Sequence, residues 1–250
     1  MTTEWDWDPD DFAVLWNSDA HDRFPRPLSY TSRFPTTNQV AQHRTAVRAR
    51  YDRDETDLIH LAFHTLDAAD LRIEILGDST TLGNGDPRQY RVLGARTTHH
   101  AVLLTQTATA TVHGRIRCRL FTPAELPSRL ARILPRHPAG TEQPETFHRA
   151  DLTADTAPED HRPDPRRRLR QRIRRADGGG VAALTTGPLY AEPTPSFTTQ
   201  WLDIPGDGRY LQQLTRDHLT LRPAAIPDLT TLFTTWIDHT LKRQRAQERW

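Results

Sequence analysis

The sequence has 250 residues, 36% hydrophobic and 26% charged, with a formal net charge of +1. That length allows one large domain or two small ones, and the charge balance excludes a global field drawing the molecule to nucleic acid or an anionic membrane. Cys118 is the one cysteine, which excludes an intrachain disulfide and a cysteine-based zinc cluster.

The acidic start, MTTEWDWDPDD, lacks the basic-then-apolar order of a secretory leader, and no apolar run approaches a membrane span. The expectation is a soluble cytoplasmic protein with no membrane partner. Arginine supplies nearly all the positive charge, since Lys242 is the sole lysine.

In chain order, residues 8–17 predict a short helix. Acids crowd its start, where the helix dipole favours them, and Phe12, Leu15 and Trp16 share a face. Two prolines keep 24–30 extended. Residues 36–50 and 54–67 predict two more helices, the second facing inward through Leu58, Ile59, Leu61, Ala62 and Leu66. Strand patterns follow at 71–76, 90–96, 100–106 and 115–121. In the last, Ile116, Cys118 and Leu120 point one way and Arg115, Arg117 and Arg119 the other. Residues 77–87 form a long turn-rich loop. Thr122, Pro123 and Glu125 read as the capped start of a helix that Pro135 stops.

Residues 136–165 read as a connector, about 141–165 at its narrowest, between an N-terminal half (about 1–140) and a C-terminal half (about 166–250). The second half predicts a basic helix at 166–176, a GGG breaker, strands at 181–186, 197–203, 209–214 and 218–222, and a long helix at 227–245. PAELP (123–127) and PAAIP (223–227) share register, and each joins a strand to a helix. Five residues are a small sample, so chance stays open beside duplication.

Several motifs invite a chemical reading. PGDGRY (205–210) lies between two strand patterns with no following lysine or helix, so it reads as a hairpin tip and not a phosphate loop. His60 and His64 stand one helical turn apart, but Leu61 occupies the place where a zinc protease needs glutamate. There is no GxSxG elbow, and no carboxylate spacing singles out an acid–base pair. The expectation is a non-enzyme without cofactor or metal. RRRLRQRIRR (166–175) could grip phosphates, which gives a nucleic-acid-associated protein as the alternative. The blander reading pairs those arginines with Asp151, Asp155, Glu159, Asp160 and Asp164, and makes nucleic acid an improbable partner.

Five segments together resemble the EspG family of ESX (type VII) secretion-associated proteins of actinobacteria. They are DFAVLW (11–16) with PRPLSY (25–30), LRIEILG (71–77), VLGARTTHHAVLL (92–104), ARILPRHPAG (131–140) and GDGRYL (206–211) after Trp201 and Asp203. The resemblance implies an α+β fold: a central, mostly antiparallel sheet flanked by helices, with quasi-two-fold related halves in a single domain. It implies a cytoplasmic chaperone that binds the helical tip of a secreted type VII substrate, such as a PE/PPE-type heterodimer, and keeps it soluble. The loop 77–87 takes the place of the family's substrate-contacting loop, so Leu82, Asn84 and Asp86 become candidate contacts. The C-terminal helix adds Asp238 and Arg243, with Trp236 left to the core. Arg117 and Arg119 are further candidates on the outward sheet face.

Overall fold

The computed structural model describes residues 2–18, 23–153, 164–187, 189 and 194–247. Ten strands form one sheet, in the order β1-β5-β4-β3-β2-β7-β8-β9-β10-β6, and every neighbouring pair is antiparallel. The strands of the first half are β1 (Thr3–Trp7), β2 (Leu71–Ser79), β3 (Arg88–Arg96), β4 (Ala101–Ala108) and β5 (His113–Phe121). Those of the second are β6 (Glu145–His148), β7 (Gly178–Thr185), β8 (Phe197–Ile204), β9 (Gly208–Leu214) and β10 (His218–Pro223).

The order is a palindrome of two halves joined at β2–β7. In each half an edge strand comes first, helices follow, four strands run as a meander, and a helix ends the unit. The first half uses α1 (Pro9–Trp16), α2 (Thr37–Arg48), α3 (Arg53–Asp67) and the closing α4 (Leu126–Ile133). The second uses α5 (Arg149–Thr153), α6 (Pro165–Arg175) and the closing α7 (Ile226–Gln247). The short repeat falls where this relation requires it. Leu126–Pro127 and Ile226–Pro227 are the first two residues of α4 and α7, where a proline's missing N–H goes unneeded.

The period-two pattern of the strands sorts the core into two clusters. On one face Leu71, Ile73, Ile75, Val92 and Leu103 pack under α4 and α7, with Trp201 and Leu211 from the second half. On the other, Leu93, Val102, Leu104, Ile116 and Cys118 pack under α1 and α3 with Trp5 and Trp7. Burying each large aliphatic side chain contributes about 1.5–3 kcal/mol. Phe12, Trp16 and Phe63 interlock edge-on and stacked at 5.1–6.0 Å between centroids. Burial pushes the Cys118 thiol far up, so it behaves as a small core hydrophobe.

Four readings change. The N-terminal segment holds a strand as well as a helix: Glu4 and Asp6 of β1 lie opposite Arg119 and Arg117 of β5. The expected connector contains β6 and α5, and Phe147 of β6 is buried against Leu219 and Leu221. GGG breaks nothing, because β7 begins at Gly178 and runs through it. A Cβ at Gly180 would lie 2.6 Å from both the Trp201 ring and the Tyr90 hydroxyl, so bare backbone lets those two rings lie across the strand. At the start of α4, a 3₁₀ turn (Pro123–Glu125) precedes the helix, and the Thr122 hydroxyl donates to the Glu125 carboxylate instead of accepting from a backbone N–H.

The PGDGRY segment is a hairpin tip between β8 and β9, with Ile204 opposite Gly208. Beneath it lies a buried ion pair. Arg209 Nε and Nη2 donate to the two Asp203 oxygens at 2.6 and 2.8 Å, and both side chains are 0% exposed. Nη2 also donates to the Pro135 carbonyl at 2.9 Å. This clamps the exit of α4 onto the second half. Among the described residues, no helix is long and apolar enough to cross a membrane.

Candidate functional site

The helices cover the two faces of the sheet differently. On one face α4 and α7 pack against each other over the middle. On the opposite face α1 and α3 cover β3, β4 and β5, while α6 lies over the far strands, with Leu169 against Phe147, Leu219 and Leu221. Between these two layers the middle of the sheet is uncovered in part: Leu76, Val181, Thr198 and Gln200 are exposed, whereas Arg72 and Thr185, on the same face of β2 and β7, are buried, and α6 reaches β8. The uncovered stretch is a shallow trough along β2, β7 and β8.

Its floor is apolar at the centre. Leu76 and Val181 are register partners across the central β2–β7 pair, exposed to 44% and 37%. Leu214 lies at the end of β9 on the same face, and Ile173 is exposed on α6. Six large hydrophobic residues are exposed among the described residues; four surround this trough, and the others, Leu82 and Val112, sit at strand–strand turns. Polar groups complete it: Gln200 lies opposite Val181, and Glu74 opposite Ala183. Burial raises the Glu74 carboxyl above its usual range against the pull of Arg72 and Arg26. An apolar centre with a polar surround is the anatomy of a protein-binding surface. Among the described residues no group of three metal-ligating side chains converges.

The residues singled out from the sequence fall into three places. Leu82, Asn84 and Asp86 are exposed on the β2–β3 loop, where Thr81–Gly83 form a 3₁₀ turn and Asn84 takes a left-handed conformation (φ 51°). The loop stands at one end of the trough, and its Thr80 hydroxyl donates to Asp177 at the start of β7. Arg117 and Arg119 sit on the other face, half-exposed, and are engaged by β1: Arg117 with Glu4 at 3.2 Å and Arg119 with Glu4 at 2.6 Å. Leu82 and Arg117 do share a cleft of about 400 Å³ there, floored by Tyr90, Val92 and Ile133. Asp238 and Arg243 are exposed on α7 near its end, where Gln244 reaches the Asp70 carbonyl just before β2. The nine residues of β2 separate them from the loop, about 26 Å at 3.3 Å per residue. The structure thus joins Leu82 to Arg117 and keeps Asp238 and Arg243 apart.

Sequence reasoning missed Leu76 and Val181. The signal for Leu76 was present: in LRIEIL it is an apolar residue in the phase held by Arg72 and Glu74. The basic helix is also partly explained. Arg168, Arg172 and Arg175 pair with Glu142 and Glu145 at 2.6–3.3 Å, carboxylates outside the expected set. Of that set, Asp164 caps the helix and the Asp151 carbonyl accepts from Arg166, whereas Asp155, Glu159 and Asp160 lie outside the described residues.

The model of the EspG family matches residues 8–232 of the sequence. The chain belongs to the EspG family. A solved structure of the Mycobacterium tuberculosis type VII secretion system chaperone EspG5, in complex with a PE25–PPE41 dimer, shares the fold. It is 14% identical, covers 92% of this chain and 94% of its own, and superposes with a TM-score of 0.55. HtdX of M. tuberculosis covers 90% of this chain and 99% of its own at 15% identity, but its TM-score of 0.16 carries no argument. No curated protein matches the sequence.

The EspG match takes in the loop, the whole trough and the Asp203–Arg209 clamp. β1 and the end of α7, with Asp238 and Arg243, lie beyond it. Within this EspG chain the GDGRYL motif therefore has a structural reason. Gly208 (φ 148°) passes close enough to the Ala139 carbonyl that a Cβ would meet it at 2.7 Å, Arg209 forms the buried pair, and Tyr210 is buried under Arg172.

Proposed function

We propose that this EspG chain is a cytoplasmic chaperone, not an enzyme, for a helical protein exported by a type VII (ESX) system. Its client is a PE/PPE-type heterodimer, or another paired-helix substrate, and the trough over β2, β7 and β8 takes the client's helical tip. The observation that carries the reading is the family match over residues 8–232. The complex that EspG5 forms with PE25–PPE41 supports it. So does the exposed Leu76–Val181 pair, two apolar side chains set side by side at the centre of the trough.

Leu82, Asn84 and Asp86 are carried forward as contacts from the β2–β3 loop, with Leu82 turned to the cleft it shares with Arg117 on the other face of the sheet. Arg117 and Arg119, paired with Glu4 of β1, and Asp238 and Arg243, near the far end of the other face, stay candidate contacts outside the trough. The chain acts as one domain, since a single sheet runs unbroken through the join of its halves.

The test is co-expression with the helical secreted proteins encoded beside it. The expected result is co-purification of a stoichiometric complex that a Leu76→Asp, Val181→Asp variant cannot form. Failure to capture or solubilise any of them would sink the proposal.

A further inference from the structure

The four ion pairs of α6 use only one side of the helix. At about 100° per residue, Leu169 marks the side facing the sheet. Arg168, Arg172 and Arg175 mark the side facing β6, the sheet edge beyond β10. The side turned the other way, toward the trough, then carries Arg166, which donates to the Asp151 carbonyl of α5, together with Arg170 and Ile173, and the outer side carries Arg167 and Arg174. Ile173 is 51% exposed. Arg167, Arg170 and Arg174 are exposed and make no ion pair among the described residues. They stand at i, i+3 and i+7, adjacent along one stripe, where like charges disfavour the helix. Nothing on that stripe of α6 offsets them.

We propose that this stripe is a charge-selecting rim of the trough. The client it admits is a helical protein with acidic side chains along the flank that faces α6. The inference rests on the chaperone reading above and adds the chemistry of the partner. Ile173 places an apolar contact at the foot of the wall, and the arginines rise above it. That is the layering of a protein interface, with an apolar centre inside a charged rim. A rim charge of this kind acts mainly on association and on rejection of wrong partners. A polyanion such as duplex DNA would use the arginines without the apolar foot, which makes protein the occupant the surface favours.

The test uses the full chain and, as probe, the recombinant helical heterodimer that co-purifies with it. Association is followed by stopped-flow for the wild type and for the Arg167→Gln, Arg170→Gln, Arg174→Gln variant. The variant should associate roughly tenfold more slowly at low ionic strength. The difference should fade as salt approaches about 0.5 M, where charges a few ångströms apart are screened. Dissociation and thermal stability should change little. A Leu76→Asp variant should instead speed dissociation. Unchanged association with an unchanged salt slope would overturn the inference while leaving the chaperone reading standing. If no heterodimer co-purifies with the wild type, both fall. Tight binding of a short DNA duplex by the wild type, lost in the arginine variant, would also overturn it and assign the stripe to phosphates.

Discussion

Replacing Arg209 with alanine should be among the most damaging single changes in this chain. The substitution leaves Asp203, fully buried, with no partner for its charge among the described residues except His137 at 3.6 Å. Breaking a buried ion pair from one side costs about 3–5 kcal/mol. The lost bond from Nη2 to the Pro135 carbonyl adds about 1 kcal/mol. A chain of this size loses about 2–4 °C of Tm per kcal/mol, so Arg209→Ala should melt roughly 8–24 °C below the wild type. Circular dichroism and calorimetry on the purified proteins would read it. The Asp203→Ala, Arg209→Ala double variant removes the stranded carboxylate and should recover part of the loss. The reasoning is refuted if Arg209→Ala melts within about 2 °C of the wild type, under the cost of one such bond, or if the double variant is no more stable than the single.

Other outcomes follow from the same geometry. Gly208→Val forces a β-branched side chain to positive φ and against the Ala139 carbonyl, so it should cost at least about 2 kcal/mol by urea titration. Gly206→Ala, at φ 71° with open space around the added Cβ, should cost only about 1–2 kcal/mol. Glu74 has its carboxyl raised by burial, so its contribution is fully present below the unfolded carboxylate pKa and is lost as pH rises through the folded one. Glu74→Gln should therefore raise Tm at pH 7 relative to the wild type, and the gain should vanish on acidification; an equal gain at all pH values would refute this. Glu4→Gln with Asp6→Asn removes only half-exposed pairs to Arg115, Arg117 and Arg119. It should cost less than about 1 kcal/mol, checked by thermal melts in low salt.

The parts of the fold that were legible share one property: their signal is local. LRIEIL, RIRCRLF and the PAELP and PAAIP junctions announce themselves through period, charge alternation and proline placement. The parts that were not legible depend on a distant partner. TEWDW reads as an acidic tail until Arg115–Arg119 is set beside it, when its two acids and two tryptophans fall into a strand's alternation. ETFH is too short to show a period, and Phe147 is held by Leu219 and Leu221, more than 70 residues away. GGG reads as a breaker because the rings that need its bare backbone, Tyr90 and Trp201, come from other strands. The candidate contacts Leu82, Asn84 and Asp86 were found through loop length and family likeness. The trough was not, because Leu76 and Val181 become a surface only when β2 pairs with β7.

The location of the trough follows from the duplication itself. In each half the closing helix leaves the strand beside the sheet edge and folds back toward the middle, so α4 and α7 meet there and seal one face with Leu126, Leu130, Leu229 and Phe233. The helices between the edge strand and the meander stay over their own half's outer strands on the other face. Two such layers related by a twofold axis leave the axis uncovered. The axis runs through the β2–β7 pair, so the uncovered residues come one from each half, Leu76 and Val181. A duplicated fold of this plan closes one face at its join and opens the other. The two flanks of that opening are free to differ, since α1–α3 border one side and only α5–α6 the other. On this argument the pair at the axis supplies a general apolar seat, and the dissimilar walls, with the arginines of α6 on one of them, determine which client can sit in it.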